Sequence, residues 1–223
     1  MKRYGRLTDD AASARQETGL MQKIKIGIII GSIRENSQSG RIGDYVAELL
    51  HQMSDGIEPM IFSLRDIELP FWTEDKWKAD SEMSAFWKPH SQALKACHGF
   101  VVIAPEWAGM APPHLKNFLL MCDKGELAHK PAQLIAVSTG MGGAYPIAEL
   151  RMSGYKNNFL WWLPDHVILR QVAGLFASEK PTELDTALTD RLLYGLAFLV
   201  ETAKVVAPVR EKLQNITLYK NGM

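Results

Sequence analysis

Apolar residues in this chain alternate between two kinds of run. Ile24 to Ile30 (IKIGIII) is short, rich in isoleucine and closed by Gly31, the pattern of a strand buried on both faces of a parallel sheet. A polar loop, 31–40, follows. Ile42, Val46, Leu49, Leu50 and Met53 then recur at helical spacing. The alternation repeats along the chain. Strands are predicted at 59–64, 100–104, 133–137 and 166–169. Helices are predicted over 81–96, from Pro112-Pro113 onward with Leu115, Phe118, Leu119 and Cys122 turned inward, and over 145–158. Pro89 interrupts the 81–96 pattern and suggests two short helices, the second opened by the proline. Residues 69–77 read as an irregular aromatic stretch. In the last helix Thr182 is the cap, with Asp185 three residues on. Leu188, Leu192, Leu196, Leu199 and Ala203 form its apolar stripe, and a partly ordered end follows Pro208.

Five strands alternating with helices imply a doubly wound α/β sheet with right-handed crossovers. In such sheets ligands bind beyond the carboxyl ends of the strands, where strand order switches. The 223 residues suit one compact domain over 21–210, with a flexible tail at 1–20 and a C-terminal extension at 211–223. The tail lacks an apolar h-region, and its acids argue against a transit peptide, so a cytoplasmic location is expected. No run approaches the ~18–20 apolar residues of a membrane span. Formal net charge is zero, which leaves no basic field for nucleic acid or anionic lipid. Cys97 and Cys122 are too few for a disulfide scaffold, and the six histidines show no metal-ligand spacing.

The loop after the first strand is long for its task. It carries Ser32, Arg34, Asn36, Ser37, Gln38 and Ser39 just before a helix begins. Hydroxyls, a guanidinium and the unpaired N–H groups of a helix start suit a phosphate monoester. The bland reading is that Ser37 or Ser39 caps the helix while Arg34 is solvated. Neither Gly-x-Gly-x-x-Gly nor Gly-x-x-x-x-Gly-Lys-[Ser/Thr] is present, so a monophosphate such as FMN fits better than a pyrophosphate.

Gly31-Ser32-Ile33-Arg34-x-x-Ser37 resembles the opening of the NADPH-dependent FMN reductase family, and the likeness runs from about Lys23 to about Val205. The resemblance implies a flavodoxin-like, three-layer fold with a five-stranded parallel sheet of order 2-1-3-4-5. It places Ser32, Arg34, Ser37, Gln38 and Ser39 around the FMN phosphate. Pro105-Glu106-Trp107-Ala108-Gly109 matches the family segment that meets the polar edge of the flavin. Two departures stand out: Trp107 replaces a tyrosine and Ala108 an asparagine. A third loop, with Ser138, Thr139, Gly140, Gly142 and Gly143, lies after the fourth strand, where its glycines can lie flat against a planar ring; the bland reading is a flexible turn.

No acid–base dyad or nucleophilic triad is evident, so no catalytic side chain is assigned; a cofactor would carry the reaction. The resemblance implies hydride transfer from NADPH or NADH to FMN and onward to a small acceptor: a quinone, an azo compound or a second flavin. The alternatives are a flavin-binding regulatory protein with little turnover and a phosphosugar or nucleotide binder. The apolar clusters at 159–163, expected to end a helix, and at 69–72, together with family habit, suggest a homodimer or homotetramer.

Overall fold

The computed structural model describes residues 23–212. The expected tail at 1–20 and most of the C-terminal extension lie outside them. The chain builds β1 (Ile24–Ile30), α1 (Gln38–Met53), β2 (Ile57–Ser63), the single turn α2 (Leu64–Ile67), α3 (Glu82–Ala96), β3 (Gly99–Pro105), α4 (Pro113–Met121), β4 (Pro131–Val137), α5 (Ala144–Ser153), β5 (Trp161–Leu169) and α6 (Glu183–Lys212). The strands form one sheet in the order β2-β1-β3-β4-β5, as expected. Every pairing is parallel.

β1, β3 and β4 are covered on both faces, which is why they read as unbroken apolar runs rather than alternating ones. Ile26, Ile28, Val101, Ile103 and Ile135 pack with α1 and α6 in one core. Ile29, Phe100, Val102 and Leu134 pack with Trp87 and Leu94 of α3, Leu115 and Phe118 of α4 and Ile147 and Leu150 of α5 in the other. Each such side chain, fully buried, contributes about 1.5–3 kcal/mol. The carboxyl ends of the strands are left clear of helices, and loops one (31–37), two (106–112) and three (138–143) gather there.

Three local expectations are corrected. α3 is one helix through Pro89, not two. Pro89 and Ala85, whose carbonyl a residue at 89 would normally bond, are both on the exposed face, so that carbonyl is open to solvent. Trp87 and Leu94, buried on either side of the proline, hold the two halves in line. The second correction concerns the cluster at 159–163. α5 stops at Ser153, and Asn158 builds the turn that follows by donating to Gly154 O (3.1 Å) and accepting from Leu160 N (3.0 Å). Trp161, Trp162 and Leu163 therefore enter β5, and the Trp162 indole donates to Leu150 O at the end of α5 (3.0 Å).

The third correction is to the last helix, which runs on past Pro208 to Lys212. Its start is as expected: Thr182 Oγ1 accepts from Asp185 N (3.1 Å), while the Asp185 carboxylate accepts from Thr182 N (2.9 Å). By length and composition α6 could also cross a membrane, with mean hydropathy 1.6 over 18 residues of which a third are buried. Counting contiguous apolar residues misses this, because charges are scattered through the helix.

Candidate functional site

Loop one leaves β1 at Gly31, whose N–H is bonded to Ile103 O (2.8 Å), so the chain rises beside the tip of β3. Ser32 is buried and its hydroxyl accepts from Arg34 N (3.3 Å), which curls the loop and leaves Arg34 exposed. Ser37 is the N-cap of α1 and accepts from Gly40 N (2.9 Å). The capping half of the bland reading thus holds for Ser37, whose hydroxyl proton stays free to donate. Gln38 and Ser39 lie inside the first turn of α1, three residues earlier than the sequence pattern starts the helix. Gln38 Oε1 accepts from Arg41 Nε (2.9 Å), and Ser39 is buried. A cavity of about 430 Å³ opens on the β2 flank of this loop, lined by Arg34, Asn36, Ser37 and Gln38 and also by Arg65 and Asp66 from α2.

Loop two is a tight hairpin. Trp107 N bonds Met110 O (3.0 Å) and Met110 N bonds Trp107 O (2.9 Å). Ala108 and Gly109 between them have φ of 49° and 75°. Positive φ at both central residues is the signature of a type I′ turn. This gives the Ala108 departure a physical meaning, since a left-handed backbone costs alanine more than asparagine. Pro105 ends β3, and Glu106 reaches across to accept from Gly143 N of loop three. Glu149 of α5 anchors the far end of loop two through Ala111 N (2.8 Å) and Lys116 Nζ (2.7 Å). The lysine holds the Glu149 carboxyl below its ordinary range.

Loop three uses its glycines in two ways. A Cβ on Gly142 would strike the Glu106 carboxylate, and one on Gly143 (φ 102°) would strike Ile168. These two glycines are therefore needed for packing loops two and three together. Gly140 and Gly109, by contrast, face open space, with nothing within 4 Å of where a Cβ would stand. Ser138 is buried and its hydroxyl accepts from Gly140 N (3.3 Å), while Thr139 is exposed. Arg170 braces the loop by donating to Met141 O and Gly142 O.

The topology thus brings all three predicted loops to one end of the sheet. It also adds residues that no local pattern marks. Arg65 reaches loop one, bonding Glu35 O (2.9 Å). Arg41 ties α1 to the chain after β5 through Val172 O (2.6 Å) and Leu175 O (2.7 Å). Phe71 and Trp107 flank His114 with ring centroids 5.8 and 6.4 Å away. Asn117 sets this cluster by donating to Pro70 O (2.9 Å) and accepting from Trp72 N (2.8 Å).

Residues 24–174 match the family model described as NADPH-dependent FMN reductase, more than half of the chain. An NADPH azoreductase from Bacillus sp. (strain OY1-2) is 28% identical over 146 residues, covering 66% of this chain and 76% of that protein. Among solved structures, the flavoenzyme NAD(P)H:(acceptor) oxidoreductase FerB from Paracoccus denitrificans is 20% identical with a TM-score of 0.63, covering 81% of this chain and 97% of that one. An oxidoreductase from Corynebacterium diphtheriae is 14% identical with a TM-score of 0.62, covering 82% and 97%. These two structures carry the same fold.

Proposed function

The chain belongs to the NADPH-dependent FMN reductase family and is an NAD(P)H-dependent flavin oxidoreductase that uses FMN, and from that premise we propose how its own residues serve the reaction. The observation that carries the placement is the pair of glycines on adjacent loops, Gly109 and Gly140, that face open space at the strand tips beside the serine- and arginine-bearing turn of loop one. Side chains there would fill the room a planar ring needs; their absence supports a fit for FMN.

In this reading Arg34 supplies full charge to the phosphate, and the Ser37 hydroxyl and the start of α1 supply donors. Ser32 and Ser39 hold the loop from below, and Gln38 acts through its bond to Arg41. Trp107 walls the ring, while backbone groups of 106–109 and 138–140 meet its polar edge. The Glu106–Gly143 bond keeps the two loops in register and spaces them for one flat ligand. The chemistry that bound FMN supplies is hydride exchange with a nicotinamide and with a small acceptor. The protein's part is to position, to exclude water and to stabilise charge; no side chain is assigned as general acid.

The acceptor class is a quinone, an azo compound or a second flavin, and the azoreductase likeness supports the second of these. A homodimer or homotetramer in the cytoplasm completes the proposal; two buried, unpaired thiols suit a reducing compartment. Nothing in the matches favours the non-catalytic alternative. The test is anaerobic mixing of FMN-loaded protein with NADPH and, separately, NADH. Bleaching of the flavin band is expected with at least one; a spectrum that stays oxidised with both would refute the reading.

A further inference from the structure

The outer face of α6 is apolar along most of its length. Tyr194 is 62% exposed, Phe198 42%, Val205 70% and Val209 53%. At 3.6 residues per turn these four fall within one ~60° stripe, opposite the buried face that carries Leu192, Leu196, Leu199 and Ala203. Scattered exposed apolar residues need no explanation, but a contiguous strip on one helix marks an interaction surface.

The spacing of the strip identifies what covers it. The intervals 194–198, 198–205 and 205–209 are four, seven and four residues, a sequence that reads the same in both directions. Two such helices laid antiparallel about the midpoint between Glu201 and Thr202 would set Tyr194 against Val209 and Phe198 against Val205, twice over. That is the condition for a two-fold interface, in which one patch is its own complement. Arg191 and Lys212 close the two ends of the stripe at its solvent rim, where this register sets the two cations opposite one another and so weakens rather than strengthens the ends. Glu201 at the centre is neutralised by Lys204 (2.7 Å), which would sit near the axis beside the partner's glutamate as well. Arg191 is already engaged by Asp165 and lies over the Tyr194 ring, so it flanks the strip rather than interrupting it. Zero net charge adds no repulsion between copies.

We propose that a second copy of this chain docks on the outer face of α6, through an antiparallel pairing centred between residues 201 and 202. The four residues span roughly 22 Å of helix. With the flanking turns this gives an interface below the standard size of stable complexes, so dimerisation should be weak and depend on concentration. The proposal rests on the self-association reading above and names its surface. It is independent of the flavin site, since α6 flanks the sheet rather than its tips.

Sedimentation velocity from 1 to 100 µM tests it. The wild-type mass should rise from 25.0 kDa toward twice that value. Phe198→Lys and Val205→Glu should each hold the protein near 25.0 kDa, with unchanged circular dichroism and unchanged flavin reduction by NADPH. The double variant should dimerise again, because Lys at 198 would then face the partner's Glu at 205. The two positions are seven residues apart in one helix, about 10 Å, so the rescue cannot be internal. A wild type monomeric at 100 µM overturns both this face and self-association. A dimer indifferent to either single variant overturns the face alone, as does failure of the double variant to recover. Wild-type protein that instead sediments with anionic phosphatidylserine vesicles in an α6-dependent way also overturns it.

Discussion

Substitution at Ala108 offers a direct test of the loop-two geometry. Its φ of 49° places an alanine in the left-handed region, followed by Gly109 at 75°. For an L-residue with an ordinary Cβ that conformation costs roughly 1–2 kcal/mol, while asparagine pays less because its short amide can bond locally. The Ala108 side chain is exposed, so little packing is lost on replacing it. Ala108→Asn should therefore stabilise the fold by about 1 kcal/mol. Ala108→Gly removes the same strain, but it loosens the unfolded chain at a cost of about 0.4–1 kcal/mol, so it should stabilise by less than asparagine, about 0.5 kcal/mol. Ala108→Val, β-branched at positive φ, should cost about 1 kcal/mol or more. For a domain of this size 1 kcal/mol moves Tm by about 2–4 °C. Thermal and urea unfolding of FMN-free protein would read the order Asn above Gly and Ala, with Val last. The effect should survive without flavin, because the strain is internal to the turn. An asparagine variant no more stable than wild type, or a valine variant equal to it, would show that the turn is not strained at this residue.

The remaining predictions concern other parts of the molecule. Arg34→Ala should weaken FMN binding by about 1.5–3 kcal/mol, the range for a hydrogen bond to a charged group, with little change in apoprotein stability; an unchanged Kd by fluorescence titration would reject the phosphate role. Gly142→Ala should separate loops two and three by forcing Glu106 away from Gly143, lowering both Tm and FMN affinity. A variant with wild-type values of both would reject the packing role. Lys130 is buried, and its ammonium donates to Leu94 O, Lys95 O and Glu126 O (2.8, 3.0 and 2.7 Å). Burial still pushes its pKa down to about 7. Between pH 7 and the ordinary lysine value the unfolded chain binds a proton the folded one lacks, so stability should rise with pH, by up to about 1 kcal/mol from pH 7 to 8. Above about pH 8 the trend should flatten or reverse. Burial raises the Cys97 thiol to about 11 and the Cys122 thiol well above its usual value, so the folded state then keeps protons the unfolded chain releases. A flat urea-midpoint profile from pH 7 to 8 would refute the lysine part of this account.

Much of the architecture was legible from residue order because its causes are local. Strands buried on two faces must be apolar throughout, and helices buried on one must repeat at 3.6, so β1, β3, β4 and α1 stand out without any knowledge of their neighbours. The reciprocal Thr182–Asp185 cap is equally local. What failed was also local in form. Pro89 is tolerated because the freed carbonyl lies on the exposed face and Trp87 and Leu94 hold the helix together, and Trp161-Trp162 could continue a helix or begin a strand until the Asn158 turn decides the matter.

For the site, the sequence by itself determined the kind of chemistry: a serine- and arginine-bearing turn before a helix, an aromatic–glycine turn and a glycine-rich turn, each behind a strand. It could not assign each residue's share of the work, because that depends on what lies across the gap. Gly140 and Gly142 look alike in the chain, yet one faces open space and the other backs onto the Glu106 carboxylate. The aromatic run that holds Phe71 was visible in the chain, but nothing in it, nor around Arg65 or Asn117, says what these residues meet; only the parallel order of β2 beside β1 and the packing of 69–77 against α4 bring them beside the site loops. Short-range periodicity records which faces are dry. Which side chains meet is settled by tertiary packing, since contacts among residues tens of positions apart leave no trace in the spacing of either partner.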